Sequence, residues 1–308
     1  MPHTEIEGHR LSLSNLDKVL YPSTGFTKGE AIHYYASIAE TVLPHLEGRP
    51  LSFLRYPDGV EGQKFFTKHV PRGTPEWVTV HEITVASKTP MHQVFLQDKA
   101  SLVWAANLAA LELHTPQWQV DHQGLADRLV FDLDPGEGAD ILDCRTVATW
   151  LRDRTAEDGV TLLPKTSGSK GLHLLAPIER RDALEVSAYA KKLAREAEDG
   201  LPDLAVSKMA KDLRGGKVFV DWSQNSAAKT TAAPYTLRAK ERPTVSTPVT
   251  WEELDAANSA DDLVFLTTDL PPRLKSYGDL LAPLLDLFSG GKKGTSKDEG
   301  FRARLPKA

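Results

Sequence analysis

The stretch RLVFDLDPGEGAD (residues 128–140) is an apolar run that carries two carboxylates and then breaks at Pro135-Gly136. Successive side chains of a strand alternate between its faces. Read as a strand, it turns Leu129, Phe131 and Leu133 one way and Val130, Asp132 and Asp134 the other. The Cα atoms of the two aspartates then stand roughly 7 Å apart, two strand rises. Two anions on one face of a half-buried strand repel. They call for a raised pKa on one of them, an Arg or Lys partner, or a divalent cation. An all-oxygen ligand set favours Mg²⁺ or Mn²⁺. The turn Pro-Gly-Glu-Gly opens the strand end to a ligand.

A second short apolar strand, KVFVDWSQN (217–225), carries Asp221 near its end. Three strand-end aspartates suit two metal ions and an in-line phosphoryl or nucleotidyl transfer. The plainer alternative is that these acids cap turns or pair with Arg128 and Lys217. Between the two strands, KTSGSKGLHLLAP (165–177) joins two further short strands through Ser, Gly and Lys. Such a loop exposes backbone N–H groups and hydroxyls and offers Lys165 and Lys170 to phosphate oxygens. It is not a Walker loop, because G-x-x-x-x-G-K-[ST] does not match.

Around these stretches the pattern predicts a strand at 128–133, a helix at about 140–157 closed by Gly159, strands near 161–164 and 171–176, a helix at about 182–198 and a strand at 217–222,. In the first part, Thr27 and Glu30 form a capping box before a helix whose face carries Ile32, Tyr35, Ala36, Ala39, Val42 and Leu43,. Short strands with turns at Pro57-Asp58-Gly59 and Pro71-Arg72-Gly73 follow, then a hairpin over 79–97 with its tip near Ser87-Lys88-Thr89-Pro90,. SLVWAANLAALELH (101–114) reads as one mostly buried helix ending before Pro116. The mixture predicts an α/β (α+β) fold. It forms one catalytic domain over about 10–288 in two lobes, with 289–308 a flexible basic tail,.

At 41% hydrophobic and 26% charged, the 308 residues are ordinary globular material long enough for a large core,. A single cysteine, Cys144, excludes a disulfide framework and a cysteine-based zinc site,. The N-terminus has no apolar segment and no run approaches the ~18 apolar residues of a membrane span, so a cytoplasmic location is expected. The net charge of −5 hides an uneven distribution. Between 205 and 242 eight Lys/Arg face three acids, and between 249 and 270 there are six acids and no base. A basic patch on an acidic protein can serve as a footprint for a polyanion.

FDLDPGEG, TSGSKGLH, VFVDWSQN and KTTAAPYTLR, in this order and at these separations, resemble the polymerase domain of bacterial DNA ligase D, within the archaeo-eukaryotic primase superfamily. The superfamily's D-x-D, S-x-H-like and h-D motifs correspond to Asp132/Asp134, the Ser167–His173 stretch and Asp221. NLDKVLYP (15–22), RYPDG (55–59), KFFTKH (64–69) and LELHTPQW (111–118) agree as well, so the resemblance covers about 11–255. It implies an RRM-like catalytic sheet with a second mixed lobe, and template-directed nucleotidyl transfer to DNA ends or short gaps in repair, with ribonucleotides preferred. It places a metal pair, Mn²⁺ preferred over Mg²⁺, on Asp132, Asp134 and Asp221. NTP or dNTP contacts fall on Ser167, Lys170, His114, Arg238, Gln224, Arg214, Arg55, Phe65 and Phe66. Asn15, Lys18 and Lys28 match a pocket for the 5′-phosphate of a gap's downstream strand. A bacterial, nucleoid-associated enzyme working with Ku and an ATP-dependent DNA ligase in non-homologous end joining is the default setting the family implies, with gap filling in excision repair and de novo priming as alternatives for a stand-alone enzyme.

Three departures stand out. Leu54 precedes RYPDG where some relatives have a lysine, no ligase or phosphoesterase module follows, and the zinc site of many cellular primases is absent. Two other readings compete. One is a D-x-D phosphatase or sugar transferase. The phosphatase pattern wants Thr or Val at Gly136, and the sugar-transferase pattern leaves Asp221 and the SGSKGLH loop unused. The other is a non-catalytic module that bridges DNA ends through hairpin 79–97 and the basic loop 208–216.

Overall fold

The computed structural model describes residues 3–85, 89–285 and 302–306. The chain forms two compact units, one of residues 1–123, 230–246 and 265–278, the other of 124–229, 247–264 and 279–308.

The first unit opens with the hairpin β1 (His3–Ile6) and β2 (His9–Ser12) and the short pair β3 (Val19–Tyr21) and β4 (Phe26–Thr27). Helix α1 (Lys28–Ser37) starts at the predicted capping box,. Thr27 Oγ1 accepts from Glu30 N at 3.2 Å, and Glu30 Oε2 accepts from Thr27 N at 2.7 Å. Helix α2 (Ala39–Leu46) follows. A central antiparallel sheet comprises β5 (Ser52–Arg55), β6 (Phe65–Thr67), β9 (Ala110–Thr115) and β15 (Thr231–Ala232), in the order β15-β9-β5-β6. The predicted hairpin over 79–97 is present as β7 (Val80–Ile83) and β8 (Met91–Val94); Ser87 and Lys88 of its expected tip lie outside the described residues. Helix α3 (Lys99–Asn107), hairpin β16 (Leu237–Ala239) and β17 (Pro243–Val245), and α7 (Leu270–Tyr277) complete the unit. Tyr35, Ile38, Leu46, Phe53, Leu111 and Leu113 are among the buried residues of its core.

The run 101–114 is not one helix. Helix α3 stops at Asn107, Ala109 adopts a left-handed φ of 56°, and the chain continues as β9. A nearly continuous apolar run does not distinguish a buried helix from a buried strand. Here β5 and β15 flank β9 on both edges, and those non-local partners decide its state.

In the second unit the chain runs β10 (Leu125–Pro135), α4 (Ile141–Glu157), β11 (Leu163–Thr166), β12 (Leu172–Asp182), α5 (Ala183–Gly200), the two-residue β13 (Ala205–Val206) and β14 (Val218–Asp221). The sheet order is β11-β12-β10-β14-β13, with only β13 and β14 parallel. Setting β13 aside, this is the β-α-β-β-α-β arrangement of an RRM-like sheet. Helix α6 (Trp251–Ala256) lies beyond it in sequence. Leu129, Phe131 and Leu133 join Val147 and Leu151 of α4 and Leu193 of α5 in one buried cluster. Val130 instead packs with Leu175, Leu281 and Leu284. The alternation read from residues 129–134 therefore holds, and it sends the aspartates to the face away from α4 and α5.

Asn225 extends the sheet where β14 ends. Its Oδ1 accepts from Val130 N at 2.9 Å and its Nδ2 donates to Val130 O at 2.7 Å, so a side chain substitutes for a strand partner,. Within the expected tail, Ala303 forms a parallel bridge with Ile178, Arg302 Nη1 donates to the carbonyl of Ile178 at 2.8 Å, and Leu305 is buried. Residues 289–301 and 307–308 of that stretch lie outside the described residues.

Candidate functional site

Register brings the motif residues of the second unit together. Asp132 on β10 faces Asp221 on β14 to one side and His173 on β12 to the other, and His173 faces Lys165 on β11. Facing residues of antiparallel strands share a face, with Cβ atoms about 4.5–5.5 Å apart. One row of the sheet thus reads Lys165, His173, Asp132, Asp221, two basic residues and then two acids. Asp134, two residues on, shares the face and is exposed. His173 Nε2 lies 3.2 Å from Asp132 Oδ1. Asp221 Oδ1 accepts from Ser223 N at 2.9 Å and Ser223 Oγ at 2.6 Å, while Oδ2 accepts from Gln224 Nε2 at 2.9 Å. Gln224 therefore orients an acid. The donors are oxygens on one face, the chemistry of a hard divalent cation. Among the described residues, no three His, Cys, Asp or Glu side chains already converge at metal-binding spacing. Cys144, beneath this strand, is buried; burial and then the nearby aspartates, Asp134 first, push its thiol well above the usual range, which makes it a packing residue,.

The loop after β11 is braced from inside. Ser167 Oγ accepts from Ser169 N and Gly171 N, each at 3.1 Å, and Ser167 N donates to Gly171 O at 2.9 Å. Two of the N–H groups expected to face a phosphate are thus turned inward. Lys170 stands exposed at the tip. Arg214 lies over the Phe219 ring at 3.8 Å and donates to Met209 O at 2.6 Å. Phe219 faces Asp134 across the strand pair, so this cation shares the carboxylate face. A Cβ on Gly136 would come 1.8 Å from Arg214 O, so the strand end and the 208–216 loop approach as only a glycine permits,.

In the first unit, β9 presents Glu112 and His114 on one face while Leu111 and Leu113 enter the core. Glu112, which sequence reasoning missed, joins two expected nucleotide contacts. Its Oε2 lies 3.0 Å from His114 Nε2 and 3.1 Å from Arg238 Nε. The i, i+2 spacing of LELH carries this signal, but reading 101–114 as a helix concealed it. Phe66 and Leu54 continue the row past Glu112. Phe65 and Phe66 are 42% and 55% exposed on an edge strand, so they are not the buried pair that a packing role requires,. Arg55 Nε donates to Leu108 O at 3.1 Å.

Asn15, Lys18 and Lys28 also gather in this unit. Asn15 has a left-handed φ of 51° and accepts from Lys18 N at 3.1 Å, and Lys28 N donates to Lys18 O at 2.8 Å. Lys28 is buried, its Nζ donating to Ser14 O at 2.6 Å and Ser14 Oγ at 3.1 Å, whereas Lys18 pairs with Asp58 at 2.8 Å. Burial, then the neighbouring Lys18 charge, lowers the Lys28 pKa to about 8,. The two lysine charges are near enough to affect one another, an arrangement that suits an anion.

The basic run 205–242 is shared between the two units. Its residues divide between the units, Lys208, Lys211, Arg214, Lys217 and Lys229 in one and Arg238, Lys240 and Arg242 in the other. Arg214 and Arg238 are engaged as described, and Lys217 Nζ donates to Pro202 O at 2.5 Å.

Comparison with known proteins gives the chain's relatives. A family model for the LigD primase–polymerase domain matches residues 27–281. The chain is 44% identical over 279 residues to the multifunctional non-homologous end joining protein LigD of Mycolicibacterium smegmatis, covering 89% of this chain and 36% of that one. It is 28% identical over 288 residues to the bifunctional LigD of Bacillus subtilis, covering 93% of this chain and 45% of that one. The chain thus spans less than half the length of these curated relatives. The structure of the polymerase domain of Mycobacterium tuberculosis ligase D in complex with DNA superposes with a TM-score of 0.85 at 42% identity, covering 90% of this chain and 98% of that one. Among the described residues, no helix is long and apolar enough to cross a membrane.

Proposed function

We infer that this chain, which belongs to the LigD primase–polymerase domain family, is a template-directed nucleotidyltransferase that extends DNA ends and fills short gaps. The observation that carries the reading is the register of one sheet face: Asp132 opposite Asp221, with Asp134 on the same face. Family membership and the likeness to a polymerase domain solved with DNA support it. They also favour it over a D-x-D phosphatase, a sugar transferase or a purely end-bridging module.

Asp132, Asp134 and Asp221 would hold divalent cations, two of them by this reading, with Mn²⁺ favoured over Mg²⁺. Such ions supply a lowered pKa at a primer 3′-hydroxyl and charge stabilisation at a leaving pyrophosphate. Gln224 holds Asp221 in place through Oδ2. Ser167 donates its hydroxyl proton to a phosphate oxygen, and Lys170 and Arg214 neutralise triphosphate charge. In the first unit, His114, Arg238 and Arg55 contact the nucleotide, and Phe65 and Phe66 offer π-faces to bases. Asn15, Lys18 and Lys28 take the 5′-phosphate of the downstream strand. Ribonucleotides are preferred, and the setting is end joining at the nucleoid with Ku and an ATP-dependent ligase. The test is extension of a labelled primer on blunt ends, overhangs and gaps, with NTPs and dNTPs and with Mn²⁺ or Mg²⁺. Addition of single nucleotides to a gapped template is expected; release of phosphate or sugar without primer growth would overturn the reading.

Lys28 gives the 5′-phosphate site a pH signature. A phosphate dianion favours the ammonium form, and the free site loses that proton near pH 8,. Preference for 5′-phosphorylated over unphosphorylated gaps is therefore greatest at about pH 7, where the phosphate is a dianion, and between about pH 8 and about pH 9.5 it falls by up to roughly tenfold per unit. Lys28→Arg, which keeps its proton, flattens the profile. Competition binding across that range checks it, and a flat wild-type profile would refute the assignment.

A further inference from the structure

Glu112 lies inside the LELHTPQW stretch but carries none of the expected site roles, yet it is the buried anion around which the nucleotide-facing side of the first unit is arranged. Its side chain is 5% exposed. Besides the contacts of Oε2 with His114 and Arg238, its Oε1 accepts from Ala239 N at 3.0 Å. The backbone next to Arg238 is thereby held as well as its guanidinium, and Tyr21 Oη donates to Arg238 O at 3.0 Å from the other side. Burial works to raise the Glu112 pKa, but the His114 hydrogen bond and the Arg238 charge outweigh it and hold the carboxyl at about 2. It is an anion throughout the neutral range. An ionised carboxylate only accepts, so His114 Nε2 carries a proton, and that hydrogen bond sets the orientation of the ring,. Leu54, facing Glu112 across the β5–β9 pair, brings hydrocarbon and no competing charge.

We propose that Glu112 is a positioning residue: it fixes the orientation of His114 and Arg238 toward a bound nucleoside triphosphate without touching the nucleotide itself. The inference rests on the reading of His114 and Arg238 as nucleotide contacts. A guanidinium released from its carboxylate samples many rotamers and must be ordered again at each binding event. The loss therefore falls on nucleotide affinity more than on the chemical step.

The test is steady-state nucleotide addition on a 5′-phosphorylated gap by Glu112→Gln, His114→Ala, Arg238→Ala and the combined triple variant. Glu112→Gln is expected to raise KM for the nucleotide at least ~10-fold, with kcat within about threefold and the Kd for gapped DNA unchanged. In the background of His114→Ala and Arg238→Ala together, Glu112→Gln is expected to add less than about twofold, because the residues through which it acts are gone. If His114→Ala and Arg238→Ala raise KM but Glu112→Gln does not, the positioning role fails; so does it if the effects simply add. If His114→Ala and Arg238→Ala leave KM unchanged, the nucleotide-contact reading itself fails. Should Glu112→Gln not fold, Glu112→Asp carries the test, since it keeps the charge and shortens the reach. A raised KM at wild-type Tm supports the proposal, and a wild-type KM overturns it.

Discussion

Asp132→Asn is expected to lower nucleotide addition at least ~10³-fold, about 4 kcal/mol of barrier, while the protein stays folded. The substitution keeps the shape and an oxygen that can still accept from His173, 3.2 Å away in the wild type. It removes one of the three negative charges on the face. Repulsion among Asp132, Asp134 and Asp221 is then reduced, so Tm in the absence of divalent ions should be unchanged or higher. The wild type should instead gain stability on addition of Mn²⁺ or Mg²⁺, about 2.7 kcal/mol at a hundredfold excess over Kd, and the variant should lose most of that gain. Binding to gapped DNA is expected to persist. Thermal melts with and without metal, beside single-turnover extension, make the comparison. Full extension by the variant, or an undiminished metal-dependent rise in Tm, would remove Asp132 from the metal site.

Which parts of this site could be read from sequence follows from how local each determinant is. The alternation of Leu129, Phe131 and Leu133 with Val130, Asp132 and Asp134 is set by strand geometry alone, and it survives in the two separate buried clusters on either face,. The Thr27–Glu30 box spans one helical turn and was legible for the same reason. The pairing of Asp132 with Asp221 joins residues 89 positions apart, and no periodicity carries such a register. The equivalent strand-end settings of the three acids suggest one site, and the resemblance of the motifs in their order and separations strengthens that reading. Glu112 was missed because LELH follows an apolar helix without a break visible in composition; the break is the backbone of Ala109. The basic run 205–242 is continuous along the chain, and its residues belong to both units.

Gly171→Ala is expected to lower kcat/KM for the nucleotide by ~10²-fold, through a contact that no motif announces. A Cβ at residue 171 would stand 1.9 Å from Leu133 O and 3.2 Å from Pro135 Cδ. Leu133 lies between Asp132 and Asp134, so the phosphate loop rests directly on the backbone of the carboxylate strand. Backbone cannot rotate aside as a side chain can, so loop and strand must separate by more than an ångström. A displacement of that size from a productive geometry costs on the order of 10²-fold. The same shift strains the two hydrogen bonds between Ser167 and Gly171, which close the loop at 2.9 and 3.1 Å. A stability loss of about 1–3 kcal/mol should accompany it, the usual cost of overpacking. Gly215→Ala is the control, because a Cβ there meets nothing within 4 Å; its stability should stay within about 0.5 kcal/mol of wild type. Chemical denaturation and steady-state extension on a gapped substrate measure both quantities. Wild-type kcat/KM in Gly171→Ala would show that the loop reaches its working position without resting on Leu133, and the link between the triphosphate loop and the aspartates would have to be sought elsewhere.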